Sequence, residues 1–317
     1  MQKRTLSCFL ALFLSLFLPL NVQSVYYSGE EAKQIIEKFT TTVATNTSAA
    51  GILTGENTGT GDTYTGFEPL PTVDYTAADP DNTAALPQTV IEHSYGVAKD
   101  GKPHSISVES QNFFDSHSYR AVTYDNQSTE KRLYLTFDCG YENGNTAKIL
   151  DVLKEKQVPA AFFCTLYQVQ SQPELTARMI QEGHIVGNHS DTHPNFSTLT
   201  GEEIATQLEN FDNYMRVHFG YCSSFFRYPE GAYSEYALSE VTSHGFTVCF
   251  WSLAYADWDE NNQKGGDYAY ETVMSRLHPG AIILLHSVSS DNAEAMGRII
   301  DDARAEGYEF YSLTELP

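Results

Sequence analysis

From about residue 95 to the C-terminus, short apolar runs alternate with amphipathic stretches, and the alternation predicts strand followed by helix, many times over. Arg132 to Phe137 reads as a buried strand, followed by a helix from about Thr146 to Lys156 with Ile149, Leu150 and Leu153 inward. Ala160 to Thr165 is the next strand, and Pro173 at a first helical position opens a helix carrying Leu175, Met179 and Ile180. His184 to Gly187 is a short strand. Thr200-Gly201-Glu202-Glu203 then reads as a capping box for a long helix with Ile204, Leu208, Phe211 and Met215 on one side. Strands at Phe225-Phe226, Thr247 to Leu253, Ala281 to Leu285 and Glu309 to Ser312 complete the series, separated by helices near Glu235 to Ser243, Tyr270 to Leu277 and Ala293 to Glu306. About seven βα units of this kind predict an α/β fold whose parallel strands close, or nearly close, into a barrel.

The first third of the chain has a different pattern. Lys3 and Arg4 precede an apolar run from Leu6 to Leu20 and then Val22-Gln23-Ser24, which reads as a secretory signal peptide over residues 1–24. Ser28-Gly29-Glu30-Glu31 predicts the capped start of a short helix with Ile35, Ile36 and Phe39 on one face. From Thr40 to about Gln88 there is neither Lys nor Arg and no apolar period, so this stretch reads as a disordered acidic linker that buries too little surface to offset its ordering entropy. The expected organisation is therefore a signal peptide at 1–24, a short helix and linker at 25–94, and a catalytic domain at 95–317.

Composition narrows the partners. The formal charge is −22 over 317 residues, and removal of Lys3 and Arg4 with the signal takes it to −24. That excess argues against nucleic acid or an anionic membrane as partner, because counterion release needs clustered cations. No segment beyond the signal is long and apolar enough to enter a bilayer, so no membrane insertion is expected after cleavage. With Cys8 inside the signal, Cys139, Cys164, Cys222 and Cys249 remain, too irregularly spaced for a disulfide framework, and they read mostly as buried free thiols, with a Cys222–Cys249 bridge not inferable.

A barrel of parallel strands presents its reactive groups at the strand C-termini. The unusual polar residues fall at that end: Asp138, the pair His189 and His193, Arg227, Asp257 and His286. His189 and His193 suit one metal ion if the residues between them make roughly one helical turn, which Pro194 keeps brief. Arg227 could form a two-point pair with a carboxylate of the enzyme or of a substrate. A histidine leaving the apolar run Ala281 to Leu285 with a carboxylate such as Asp257 beside it would favour its cation, the property of a general acid.

Thr136-Phe137-Asp138-Cys139-Gly140, His189-Ser190-Asp191-Thr192-His193, Arg227-Tyr228-Pro229-Glu230-Gly231, Asp257-Trp258 and Leu285-His286-Ser287 resemble, in order, the five motifs of the NodB-type polysaccharide deacetylases, carbohydrate esterase family 4. Gly140-Tyr141-Glu142-Asn143-Gly144, Trp251-Ser252-Leu253-Ala254 and the run Ser287 to Ala295 are similar to the subgroup of peptidoglycan de-N-acetylases that lead to muramic δ-lactam in spore-forming bacteria. The resemblance implies a distorted (β/α) barrel that hydrolyses the acetamide of an N-acetylated sugar. It implies Asp138 as general base, His189 and His193 as ligands of a divalent metal, zinc by preference, and His286 as general acid tuned by Asp257. Arg227 would pair with Asp138 or approach a substrate carboxylate. Trp258 and Leu285 would shape the acetyl-methyl pocket, and Tyr228 and Gly231 would contact substrate.

One residue departs from the family pattern. Cys139 stands where most members carry a second aspartate, a metal ligand; a thiolate there would complete a Cys-His-His set, and a neutral side chain would leave two imidazoles and solvent. The expected function is a secreted, wall- or cortex-associated de-N-acetylase acting on N-acetylmuramic acid in peptidoglycan strands. The alternatives are an N-acetylglucosamine deacetylase on peptidoglycan or chitin-like oligomers and a wall-binding homologue weakened in turnover.

Overall fold

The computed structural model describes residues 67–94 and 96–317, so the expected signal peptide, the helix at 28–39 and the linker up to residue 66 lie outside the described residues. Pro69–Pro317 forms one compact unit. Its elements in chain order are β1 (Ile91–Glu92), α1 (Ser105–His117), β2 (Ala121–Val122), β3 (Arg132–Cys139), α2 (Thr146–Lys156), β4 (Ala160–Cys164), α3 (Leu166–Ser171) and α4 (Pro173–Gln181). There follow β5 (Ile185–Asn188), α5 (Gly201–Phe219), β6 (Phe225–Phe226), β7 (Ala232–Tyr233), α6 (Glu235–Ser243), β8 (Thr247–Cys249), α7 (Gly266–Met274), β9 (Ala281–His286), α8 (Ser290–Ala305) and β10 (Glu309–Phe310).

Seven strands run in the order β10-β3-β4-β5-β6-β8-β2, with β9 also paired to β3, and every neighbouring pair in this sheet is parallel. The α/β architecture expected from the alternation is present. Closure explains why the predicted strand Thr247 to Leu253 is cut short. Phe250 donates its N–H to Val122 on β2, whereas Ser252 and Leu253 donate to Ile282 on β9, so the chain leaves one neighbour and joins another as the sheet curls. A separate antiparallel pair, β1 with β7, lies outside this sheet.

Both faces of β3 are enclosed, as in a strand covered on two sides. Period-two alternation assigns Tyr134, Thr136 and Asp138 to one face and Leu133, Leu135, Phe137 and Cys139 to the other. The inward face belongs to an aromatic cluster that includes Phe163, Phe226, Tyr228, Tyr233 and Phe250. The outward face meets the helices: Ile149, Leu150 and Leu153 of α2 are fully buried, matching the predicted stripe. The capping box of α5 forms between Thr200 and Glu203, and Gly220 ends the helix in the left-handed conformation.

The linker reading requires correction for residues 69–88, which pack along α5 and α6. Leu70 donates its N–H to Arg216, Val73 to the Asn213 side chain at 2.8 Å, and Tyr75 to Glu209 at 2.7 Å, while Ala78 and Asp79 donate to Glu240. The Tyr75 ring lies against His244 and Phe246. Polar side chains on the two helices satisfy a backbone that has no apolar period of its own, a source of order that hydropathy does not register. All four described cysteines are free; Cys139, Cys164 and Cys249 are buried and Cys222 is exposed.

Beneath this strap, Asp212 is enclosed and accepts the Tyr75 hydroxyl at 2.8 Å. Burial raises its pKa to about 6 against opposing hydrogen bonds and the Arg216 charge. The folded state then holds a proton that the unfolded state has released, so stability falls as pH rises from about 4 to about 6. Asp212→Asn, which keeps an acceptor for Tyr75, is expected to flatten this fall and to gain on the order of 2–3 kcal/mol at pH 7, read from denaturant unfolding across that range.

Candidate active site

Asp138 ends the inward face of β3, and Arg227 follows β6. The Arg227 side chain is completely enclosed: Nη1 donates to Asp138 Oδ1 at 2.8 Å, Nε to the Cys249 carbonyl at 2.8 Å and Nη2 to the Phe250 carbonyl at 3.1 Å, with the guanidinium 4.2 Å from the Phe163 ring centroid. Burial pushes the Asp138 carboxyl up, but the charges of Arg227, His189 and His286 together outweigh it and hold it below the usual carboxylate range. Of the two partners expected for Arg227, the enzyme's own aspartate is the one found. A guanidinium with no exposed surface has no route to a substrate carboxylate.

The paired imidazoles stand beside that carboxylate, with ring centroids 5.0 Å apart. They meet through an irregular bend rather than the expected helical turn. Ser190 and His193 both take positive φ, 75° and 57°. Asn188 Oδ1 accepts the Ser190 N–H, Ser190 Oγ accepts the His193 N–H, and Gln207 Oε1 accepts from Asp191 and Thr192. The Arg227 carbonyl can only accept, so its 2.8 Å contact makes His189 Nδ1 the protonated nitrogen and leaves Nε2 bare. That Nε2 lies 3.6 Å from Asp138 Oδ2. Burial lowers the His189 pKa to about 4 despite Asp138, and burial lowers that of His193 as well, so both rings are neutral near pH 7, the state in which imidazole binds metal.

Cys139 does not join them. It follows Asp138 on a continuous strand and so faces the opposite side, where its thiol points back toward the Phe137 carbonyl at 3.9 Å and neighbours Cys164, its register partner on β4. Among the described residues no group of three or more His, Cys, Asp or Glu side chains converges as a ligand set. Of the two alternatives for Cys139, this geometry supports the one that leaves two imidazoles and solvent. The residues that fit a cation are His189 and His193, neutral imidazoles with ring centroids 5.0 Å apart, beside an Asp138 carboxylate whose Oδ2 lies 3.6 Å from His189 Nε2.

β9 and the loop after β8 bring the remaining pair. His286 is the register partner of Asp138 on the neighbouring parallel strand, so base and imidazole stand at one level of one face. Asp257 Oδ1 meets His286 Nδ1 at 2.7 Å, and its Oδ2 accepts the His286 backbone N–H at 2.8 Å. Burial opposes the imidazolium, yet the charge and hydrogen bond of Asp257, with Asp138 adding to them, raise the His286 pKa above the ordinary histidine value. Trp258 is half exposed at the mouth, its ring 5.9 Å from that of His286.

Three expected substrate contacts are enclosed instead. Leu285 is fully buried on the face opposite His286, whereas Leu284, two positions before the histidine, belongs to the inner cluster; period two in the strand was the signal that separates them. Tyr228 has no exposed surface and packs between Phe196, Phe226, Tyr233 and Phe250. Gly231, at φ 68°, has a structural reason: a Cβ there would lie 2.7 Å from the His93 carbonyl oxygen and from the Trp251 ring.

Residues 125–249 match the family model described as polysaccharide deacetylase. The chain is 46% identical over 194 residues to the peptidoglycan-N-acetylmuramic acid deacetylase PdaA of Bacillus subtilis (strain 168), covering 61% of this chain and 74% of that protein. The chain belongs to the polysaccharide deacetylase family, carbohydrate esterase family 4. The solved structure of Bacillus subtilis PdaA superposes on this polysaccharide deacetylase with a TM-score of 0.69 at 41% identity, covering 73% of this chain and 98% of the other. A peptidoglycan-N-acetylglucosamine deacetylase of Bacillus cereus is 30% identical over 202 residues, 62% of this chain and 72% of the relative. The protein is accordingly a hydrolase of the N-acetyl amide.

Proposed function

We propose that this polysaccharide deacetylase is a secreted, metal-dependent enzyme of the cell wall or spore cortex that removes the acetyl group of N-acetylmuramic acid in peptidoglycan, freeing the amine that closes on the lactyl carboxylate as the muramic δ-lactam. The observation that carries the catalytic part is the register of Asp138 with His286, which sets an ionised carboxylate and a cationic imidazole side by side at one mouth. Asp138 takes a proton from the attacking water, and His286 delivers a proton to the leaving nitrogen as the carbon–nitrogen bond breaks, giving acetate and the sugar amine. A divalent ion, zinc by the imidazole donors, would be held by His189 and His193 and would supply Lewis acidity to the amide carbonyl and the water. Trp258 would flank the acetyl group beside His286.

The muramic preference is supported by the 46% identity to an N-acetylmuramic acid deacetylase. A second reading, deacetylation of N-acetylglucosamine, is favoured by one feature: Arg227 is sealed, and the exposed acid of the same loop, Glu230, acts electrostatically on His193 rather than offering a cation to a lactyl group. Peptidoglycan stripped of its stem peptides, digested with the purified protein and separated by sugar, decides between them. Loss of acetyl from muramic residues, seen as free amine or as δ-lactam, is expected; loss confined to glucosamine, or no loss of acetyl, sinks the muramic reading.

Two further outcomes are expected. His189→Ala and His193→Ala should each lose bound zinc in equilibrium dialysis, whereas Cys139→Ser should hold as much as the parent. The rate should fall on the acid side near pH 4, as His189 takes up a proton and can no longer bind metal, and on the alkaline side above the usual histidine range, as His286 loses its proton. Asp257→Asn removes the charge that raises the His286 pKa, so the alkaline fall should move to lower pH in a kcat/KM profile.

A further inference from the structure

We propose that Asn292, backed by Tyr255, is a positioning residue that locks Asp257 and His286 into their working alignment; this rests on His286 as the proton donor proposed above. Asn292 has no exposed surface and sits in the first turn of α8, where Ser289 Oγ accepts its backbone N–H. Its side-chain nitrogen donates to Asp257 Oδ2 at 2.6 Å and to the His286 carbonyl at 3.2 Å. Its side-chain oxygen accepts the Tyr255 hydroxyl at 2.6 Å. Both donors and the oxygen are therefore engaged, and the amide has one orientation: turned over, it would set its oxygen against an ionised carboxylate, which only accepts.

The geometry of the acid follows from this. Asp257 Oδ2 is pinned from two directions, by the Asn292 amide and by the His286 backbone N–H, so the carboxylate cannot rotate about its own axis. Oδ1 is left aimed at His286 Nδ1 at 2.7 Å. The Nδ1 proton is thereby committed to Asp257, and Nε2 is the nitrogen that can deliver its proton at the mouth. Asn292 also bridges to the carbonyl of His286 itself, tying the carboxylate and the histidine backbone into one unit. Without that bridge, Asp257 keeps its charge but gains freedom to swing. The ring then loses the alignment that the strand alone does not impose, because His286 is the last residue of β9.

Asn292→Leu keeps the volume and removes both donors, and Tyr255→Phe removes one hydroxyl. On an N-acetylated glycan that the parent deacetylates, Asn292→Leu should lower kcat by about 10–100-fold with KM nearly unchanged, and Tyr255→Phe should lower it several-fold in the same sense. A readout independent of turnover is the His286 Nδ1 proton in the imidazole NMR spectrum: slow to exchange with solvent in the parent, fast in both variants. A slow Nδ1 proton and a parental kcat in folded Asn292→Leu would overturn the proposal. Should that variant not fold, Tyr255→Phe decides: a parental Nδ1 proton and kcat there overturn it equally. Because the NMR signature needs no substrate, an inactive parent would count against the functional reading and not against this one.

Discussion

Asp138→Asn is expected to cost the enzyme twice. The amide cannot take a proton from water, so kcat/KM should fall by about 10²–10⁴-fold, the usual worth of a general base. The same change strands Arg227, whose side chain is wholly enclosed and which, among the described residues, has Asp138 as its one anionic hydrogen-bond partner. An unpaired buried charge costs about 3–5 kcal/mol, so thermal unfolding should move to distinctly lower temperature even though the replacement has the same shape. Rate and melting temperature measured on one preparation check both halves. Undiminished turnover would remove Asp138 from the role of base, and unchanged stability would show that the ion pair does not hold the mouth together.

Arg227→Lys is the second large effect, and it separates charge from geometry. A lysine keeps the positive charge but offers a single ammonium where the guanidinium serves Asp138, the Cys249 carbonyl and the Phe250 carbonyl at once. Leaving two buried carbonyls without donors should destabilise the domain by about 2–5 kcal/mol and reduce activity through a displaced Asp138. The double variant Asp138→Asn with Arg227→Met removes both charges and is expected to be more stable than Asp138→Asn alone, since removal of the second member cancels the stranded charge. A double variant at the sum of the two single losses would mean that the pair contributes only through packing. Circular-dichroism melts of the parent, Asp138→Asn, Arg227→Met and the double variant form the cycle.

The chemistry-bearing residues were legible because parallel strands present their C-terminal ends together, so Asp138, His189, Arg227, Asp257 and His286 could be assigned to one end of a barrel before any distance was known. What sequence proximity hid was orientation. Cys139 and Leu285 each stand one residue from a functional side chain, and in a strand one residue is the opposite face. Tyr228 and Gly231 share a loop with Arg227 yet are closed off by Phe250 and Trp251 from the next strand's exit. Asn292 and Tyr255 carried no local mark, because an asparagine in the first turn of a helix has the ordinary look of a capping residue. Only the convergence of β9, α8 and the loop after β8 sets them against Asp257.

Taken alone, the amino-acid order determined the alternation of strand and helix, the boundaries of the apolar runs and the set of polar groups at their ends, since each of these follows from local periodicity and backbone preference. Tertiary structure decided which of those groups face one another, that the guanidinium is spent on Asp138, and that residues 69–88 are ordered against α5 and α6. Those outcomes depend on partners tens of positions away or more, or on which side of a pleat a residue falls, and hydropathy along a single chain carries neither.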